Sequence, residues 1–551
     1  MTVFDPTLLA DYAVRDRTHP AFAAVTNAHG LYNTQQFVLR LSPVVHRKLA
    51  ECGSGVRSIG EIGYDGARAM STLLHETVHW WQHIGSTYGF IFSLIYPVQA
   101  HCTHFDLLKL VAQDGFKKSV LQQASELGIQ GPGGYGTTAG LANSIVNNHF
   151  DLLAFRAFSL GPKAARAITG EKLFQAVGHS FHMAYAHAVS TIAATVDPPF
   201  EVMPHPKEWQ SGFELLREQR IEGYYYRSPV GVWPIGSVEI FEGQACFSQI
   251  QYLSHACDHR LEWSDYRELG LLHGVYETAF REFLRLTGFA WPRSVDDPLV
   301  PLFILVCDLS LNPGSGFPYH IRPNFRTFID DVNPGARFAF FCLTIAKRFV
   351  SLKTAICDHS RSDYAEVSGI LCEAIKEPPP LMIAKTFSNW FAPDGAFANL
   401  RNEYIKYEFD PRNYVIRHLF AHFLAFQEDK FRHPEFFCWP GAWMAGSRLN
   451  GTVEKLFDKH GALFVDKEDS NGVFARIQKE RDPACVQATY DKFYHDASTF
   501  DLSNQWISQA GPFRFDLSWI SPEATAGEAR DYFARTFHAA FGIDLHSVRT
   551  L

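Results

Sequence analysis

The chain has 551 residues, 46% hydrophobic and 20% charged, with a formal net charge of −8. That composition excludes a disordered or fibrous protein and leaves room for two or three domains. Lys and Arg are scattered rather than clustered, so neither nucleic acid nor an acidic membrane is indicated as a partner.

The first residues, "MTVFDPTLLADYAVRDRTHP", carry Asp5, Asp11 and Asp16 and lack a basic segment followed by an apolar one, so no signal peptide is expected. "LVPLFILVCDLSL" is too short to span a bilayer, and no membrane span is expected. Ten cysteines run singly from Cys52 to Cys485 without a CxxC pair. That usage fits reduced thiols, and a cytoplasmic location is the expectation.

"QFVLRLSP" (36–43) alternates as a short strand. Residues 66–84 then predict a helix, with Asp65 as its cap and Gly85 as its stop. Beyond it, residues 103–128, 144–161 and 176–197 carry apolar side chains at helical spacing, and the Gly-rich "GIQGPGGYGTTAG" (128–140) reads as a loop. Breaks are expected at 287–301 and at "KEPPPL" (376–381), and a final helix is expected from Ser521 and Pro522 to Gly542.

The chemistry concentrates in the helix at 66–84. At about 100° per residue, apolar side chains cover most of its circumference, while Arg68, Thr72, His75, Glu76, His79, Gln82 and His83 share one stripe. His75 and His79 stand one turn apart, so both imidazoles reach one metal ion, and Glu76 is placed to face a metal-bound water without ligating it. In HExxH chemistry the metal acidifies that water, the Glu takes its proton, and the hydroxide attacks a polarised carbonyl. His83 lies about 12 Å along the axis from His75, too far to share the ion, and reads as supporting, substrate-facing or structural.

A third ligand is expected in "GSVEIFEGQACFSQIQYL" (236–253), where Glu242, Cys246, Gln249 and Leu253 share a helical face beside small Ala245. Glu239, Glu222, Glu218 and Glu214 are its competitors. "HETVH" followed by "EGQA" resembles the gluzincin metallopeptidases. The resemblance implies that His75, His79 and Glu242 bind Zn2+, that Glu76 is the general base, and that the substrate is a peptide or protein. A gluzincin-like site also needs an oxyanion donor, and Tyr224, Tyr225, Tyr226 and Arg227 are available, but no spacing singles one out and the run reads as packing. His101 with His104, His179 with His182, and His418 with His422 form further pairs, expected to be core or amphipathic rather than metal sites.

Two other classes fit the sequence less well. A di-iron helical protein would need a second ExxH, which is missing, and a purely structural zinc site would not need Glu76. A metal-dependent amidase on a small molecule, or a non-catalytic zinc-containing binding protein, are the alternatives to a peptidase. The expected fold is mainly α with a small β-sheet (α+β). A zincin-like domain over 1–290 would carry a helical insertion at about 92–235, followed by a largely helical region over 291–551.

Overall fold

The computed structural model describes residues 30–33, 37–52, 59–127, 136–318, 324–478, 480–517, 520–521 and 523–551. As expected, the protein is mainly helical with a small sheet. Strand β1 (Gly30–Asn33) pairs antiparallel with β2 (Val38–Leu41), which realises the strand expected in "QFVLRLSP". A two-residue strand, β3 (Lys117–Lys118), lies in a separate ladder. From the far end of the chain, β4 (Phe464–Lys467) joins β2 in parallel and β5 (Ser470–Ala475) closes the order β1-β2-β4-β5. The Asp466 carboxylate fixes the β2–β4 register, accepting from Leu41 N at 3.1 Å and from His46 Nε2 at 2.8 Å.

Four helices position the candidate site. Helix α1 (Ile59–Gly85) is broken at Gly63, whose φ of 67° and ψ of 175° suit a residue without Cβ. The uninterrupted run therefore starts at Tyr64, and Asp65 lies inside its first turn rather than at the cap. A carboxylate there still complements the positive end of the helix. Gly85 ends α1 as expected, and its carbonyl accepts from Gln427 Nε2 at 2.6 Å. Helix α2 (Ser237–Ala256) is buried almost all round, as befits a central helix. Helix α3 (Val275–Thr287) packs on α2 at Gly243, where an added Cβ would stand 3.0 Å from Ala279 Cβ. Helix α4 (Tyr414–Arg432) lies against α1, with Phe426 filling the space over Gly85.

The apolar face of α1 is anchored from both ends of the chain. Trp80 meets Phe37 edge-on at 6.4 Å, and Trp81 is enclosed by Phe426, Phe436, Phe437 and Phe457. Its indole N–H donates to His460 O at 2.8 Å. Fully burying one such side chain stabilises by roughly 1.5–3 kcal/mol. The hydrophobic core runs without a gap from Phe37 to Tyr494, across residue 290. A second cluster joins Leu107 and Phe116 to Trp506, Phe533, Phe537 and Phe541.

Local expectations differ in three places. The helix expected over 103–128 is two helices, Ile95–Asp114 and Val120–Leu127, because Gly115 at φ 78° turns the chain between them. Residues 128–135 of the expected Gly-rich loop, and Pro522, lie outside the described residues. The last helix starts at Ala526, where Thr525 caps Glu528 N and Glu528 returns a bond to Thr525 N, and it ends at Gly542 in the left-handed conformation, as expected. The breaks near 287–301 and 376–381 are both present.

No helix among the described residues is long and apolar enough to cross a membrane. All ten cysteines are free thiols.

Candidate metal centre

Helices α1 and α2 cross with their polar stripes face to face and bring His75, His79 and Glu242 together. Their ligand atoms lie within 4.8 Å of one another, and all three residues are buried. The two Nε2 atoms are 3.1 Å apart, and Glu242 Oε1 and Oε2 stand 3.5 Å from His79 Nε2 and 3.6 Å from His75 Nε2. Ligands about 2.0–2.2 Å from a tetrahedral metal ion are separated by about 3.3–3.6 Å; the two carboxylate distances fall in that range and the Nε2–Nε2 distance is slightly shorter, so the triad could hold an ion. Glu242 is 1% exposed and its Oε2 has no hydrogen-bond partner. A buried carboxylate oxygen left in that state calls for a cation.

The outer nitrogens show which lone pairs face inward. Gln82 donates both amide hydrogens to acceptors, Phe241 O and Gln244 Oε1, each at 2.9 Å. Its Oε1 is therefore the atom 2.8 Å from His79 Nδ1, and His79 donates there. Gln249 Nε2 lies 3.1 Å from Ser71 Oγ, whose own hydrogen goes to Arg68 O at 2.7 Å, so Gln249 Oε1 accepts from His75 Nδ1 at 3.1 Å. With both Nδ1 atoms assigned as donors by this network, two Nε2 lone pairs meet at 3.1 Å, which is tolerable only with a proton or another cation between them. The electrostatics agree. Burial opposes protonation of His79, but Glu242, ahead of Glu76, outweighs it and holds the ring well above the usual imidazole range. Glu242 is likewise held well below the usual carboxylate range, because His79 and His75 outweigh its burial.

Glu76 is 5% exposed, and its charge acts on both His79 and Tyr276, which sets it beside the triad without being one of its three ligands. His83 is elsewhere: its ring lies 4.8 Å from Phe241 and its Nδ1 is 3.3 Å from Ser93 Oγ. Burial, ahead of the charges of His79 and Arg156, keeps it neutral.

The competitors of Glu242 have other work. Glu239 Oε2 accepts from Gly236 N at 2.8 Å at the start of α2, Glu214 accepts from Gln210, and Glu218 and Glu222 are exposed. The Tyr224–Arg227 run, read as packing, is also elsewhere. Tyr224 OH donates to Phe325 O, and Arg227 stacks on exposed Tyr226.

Tyr276, on the first turn of α3, lies beside the triad instead. Its ring lies 5.9 Å from His75 and 5.5 Å from His273. Burial, with the charges of Glu242 and Glu76, pushes its phenol far up, so it remains an O–H donor at any working pH. "LLHGVYETAF" carries no motif that selects Tyr276; only the packing of α3 on α2 does. The other histidine pairs serve packing and local bonds: His104 stacks on Phe541, His182 on Phe213, and His418 contacts Tyr407. Among the described residues His75, His79 and Glu242 are the only group placed to hold a metal ion.

No protein-family model, curated protein or solved structure matches the chain.

Proposed function

We propose that the protein is a zinc-dependent metallopeptidase in which His75, His79 and Glu242 hold the ion and Glu76 is the general base. The observation that carries this reading is the convergence, at 3.1–3.6 Å, of two Nε2 lone pairs and a buried carboxylate one of whose oxygens has no hydrogen-bond partner. When bound, such an ion acidifies water and polarises a carbonyl. Glu76 takes the proton of the attacking water and returns it to the leaving amine. Tyr276, whose ring packs edge-on to His75 at 5.9 Å, is the candidate donor for the charge that develops on the carbonyl oxygen. Gln82 and Gln249 hold the two imidazoles in the required tautomer.

A second reading, an amidase acting on a small molecule, is favoured by depth. His75, His79 and Glu76 are only 5–7% exposed, which suits a slender substrate.

Elemental analysis of wild type and of His75→Ala, His79→Ala and Glu242→Ala tests the metal. About one zinc per chain, lost in the His variants and weakened in Glu242→Ala, is expected. A well-folded wild type that takes up no zinc would end this reading. Turnover of a peptide library against small amides separates the two substrates, and Glu76→Gln should lower either activity by roughly 10²–10⁴ while retaining metal.

A further inference from the structure

The C-terminal end of α2 borders a second polar site, which the metal centre does not use. His255 stands 13 residues beyond Glu242 (255 − 242), about 20 Å along the helix. A cavity of about 520 Å³ lies there, within the range of small-molecule sites. Gln251 and His255 of α2 line it, with His259, Asp296, His359 and Arg448 arriving from other segments.

Two carboxylates, Asp258 and Asp296, and one guanidinium, Arg448, line the cavity. Asp296 is satisfied by His259 Nδ1 at 2.8 Å and Ser254 Oγ at 3.0 Å, and Asp258 pairs with Arg260 at 3.7 Å. Arg448 has no carboxylate partner among the described residues. Burial, then the nearby His259 and Arg448, push His255 down to about 4. Burial and Arg448 push His359 down to about 3. Both rings are neutral at pH 7 and each keeps one N–H.

Hydrogen bonding in the cavity is incomplete as well. Gln251 is 3% exposed, and its Nε2 lies 3.2 Å from His359 Nε2. Gln251 Oε1 and His359 Nδ1 are both buried without a partner. If the amide donates to His359, the imidazole proton sits on Nδ1, leaving one open donor and one open acceptor. If the amide is turned so that its oxygen accepts from His359 Nε2, the amide N–H and the Nδ1 lone pair are left open. Either assignment offers a ligand one donor and one acceptor. The His255 and His259 rings stand 4.7 Å apart, but no third His, Cys, Asp or Glu among the described residues completes a metal site with them.

We propose that this cavity binds a small organic oxyanion, a carboxylate or a phosphate ester that also carries a hydroxyl. Arg448 takes the anionic oxygens, and the Gln251–His359 pair takes the ligand's hydroxyl.

Calorimetric titration with glycerol 3-phosphate and with malate, at constant ionic strength, tests this on metal-stripped and zinc-loaded protein. One or both should bind saturably at one per chain, with the same affinity in both preparations, and the ligand that binds identifies which oxyanion the site takes. Arg448→Gln should weaken binding at least about tenfold, and Arg448→Glu should abolish it, whereas Arg412→Gln, at an exposed pair with Asp410, should not. Absence of saturable binding, binding that requires zinc, or full affinity in Arg448→Gln overturns the proposal. If both Arg448 variants fail to fold, Gln251→Leu carries the same prediction, and full affinity there overturns it too.

Discussion

Replacing Gln249 by Leu tests whether the metal centre depends on the tautomer network as well as on its three ligands. In the native arrangement His75 Nδ1 donates to Gln249 Oε1 at 3.1 Å, which leaves Nε2 free to ligate. Leucine keeps the volume but removes the acceptor, and a buried N–H without a partner costs about 1–3 kcal/mol. The ring relieves that cost by moving its proton to Nε2, the atom the metal needs. Loss of an outer hydrogen bond of this kind weakens metal binding by about 10–100-fold, or about 1.4–2.8 kcal/mol. Competition for zinc against a chelator of known affinity measures the change, and Gln249→Glu, which restores an acceptor, should recover most of it. Wild-type zinc affinity in a Gln249→Leu protein that melts normally would refute the tautomer argument.

Two further outcomes concern stability. Burial, ahead of Arg481, pushes His418 down to about 3 from 6.5, so between those values the unfolded chain takes up a proton that the folded chain refuses and stability falls with falling pH. The loss from pH 7 to 5 due to this ring is about 2 kcal/mol, and urea unfolding of His418→Gln should lack it; an unchanged acid limb would be the contrary result. Lys430 is 4% exposed and donates to Asp308 Oδ1 at 2.7 Å, with Tyr364 OH on Oδ2 at 2.8 Å. Lys430→Met should cost about 3–5 kcal/mol by stranding Asp308, and Lys430→Met/Asp308→Asn should recover part of that in the same unfolding assay.

What the sequence made legible follows from range. The α1 stripe repeats within a few turns, so His75, Glu76 and His79 could be placed on one face by periodicity alone. Glu242 could be proposed because Ala245 and Gln249 share its helix, but choosing it over Glu239 needed the start of α2, where Glu239 is committed to Gly236 N. Gln82 and Gln249 were visible on the right faces, yet their role is a hydrogen-bond closure between helices 162 and 174 residues apart in sequence. Tyr276 was invisible for the same reason. It reaches His75 only because Gly243 lets α3 lie close against α2, a contact no local pattern encodes. The shift of the last helix start to Thr525 is more instructive. The Glu three residues after Thr525 completes a reciprocal cap at that point.

The bond from Trp81 to His460 closes a loop of 379 residues. At a synthesis rate of about 5–20 residues per second, roughly 20–80 s separate the emergence of the two partners from a ribosome. During that interval the helix bearing His75 and His79 has its tryptophan face uncovered, and β2 lacks the strand that will fix its register. His75 and His79 therefore wait for segments made hundreds of residues later before the helix that carries them is held in place. A nascent chain of this protein presents a long-lived aromatic surface of the kind that chaperones bind.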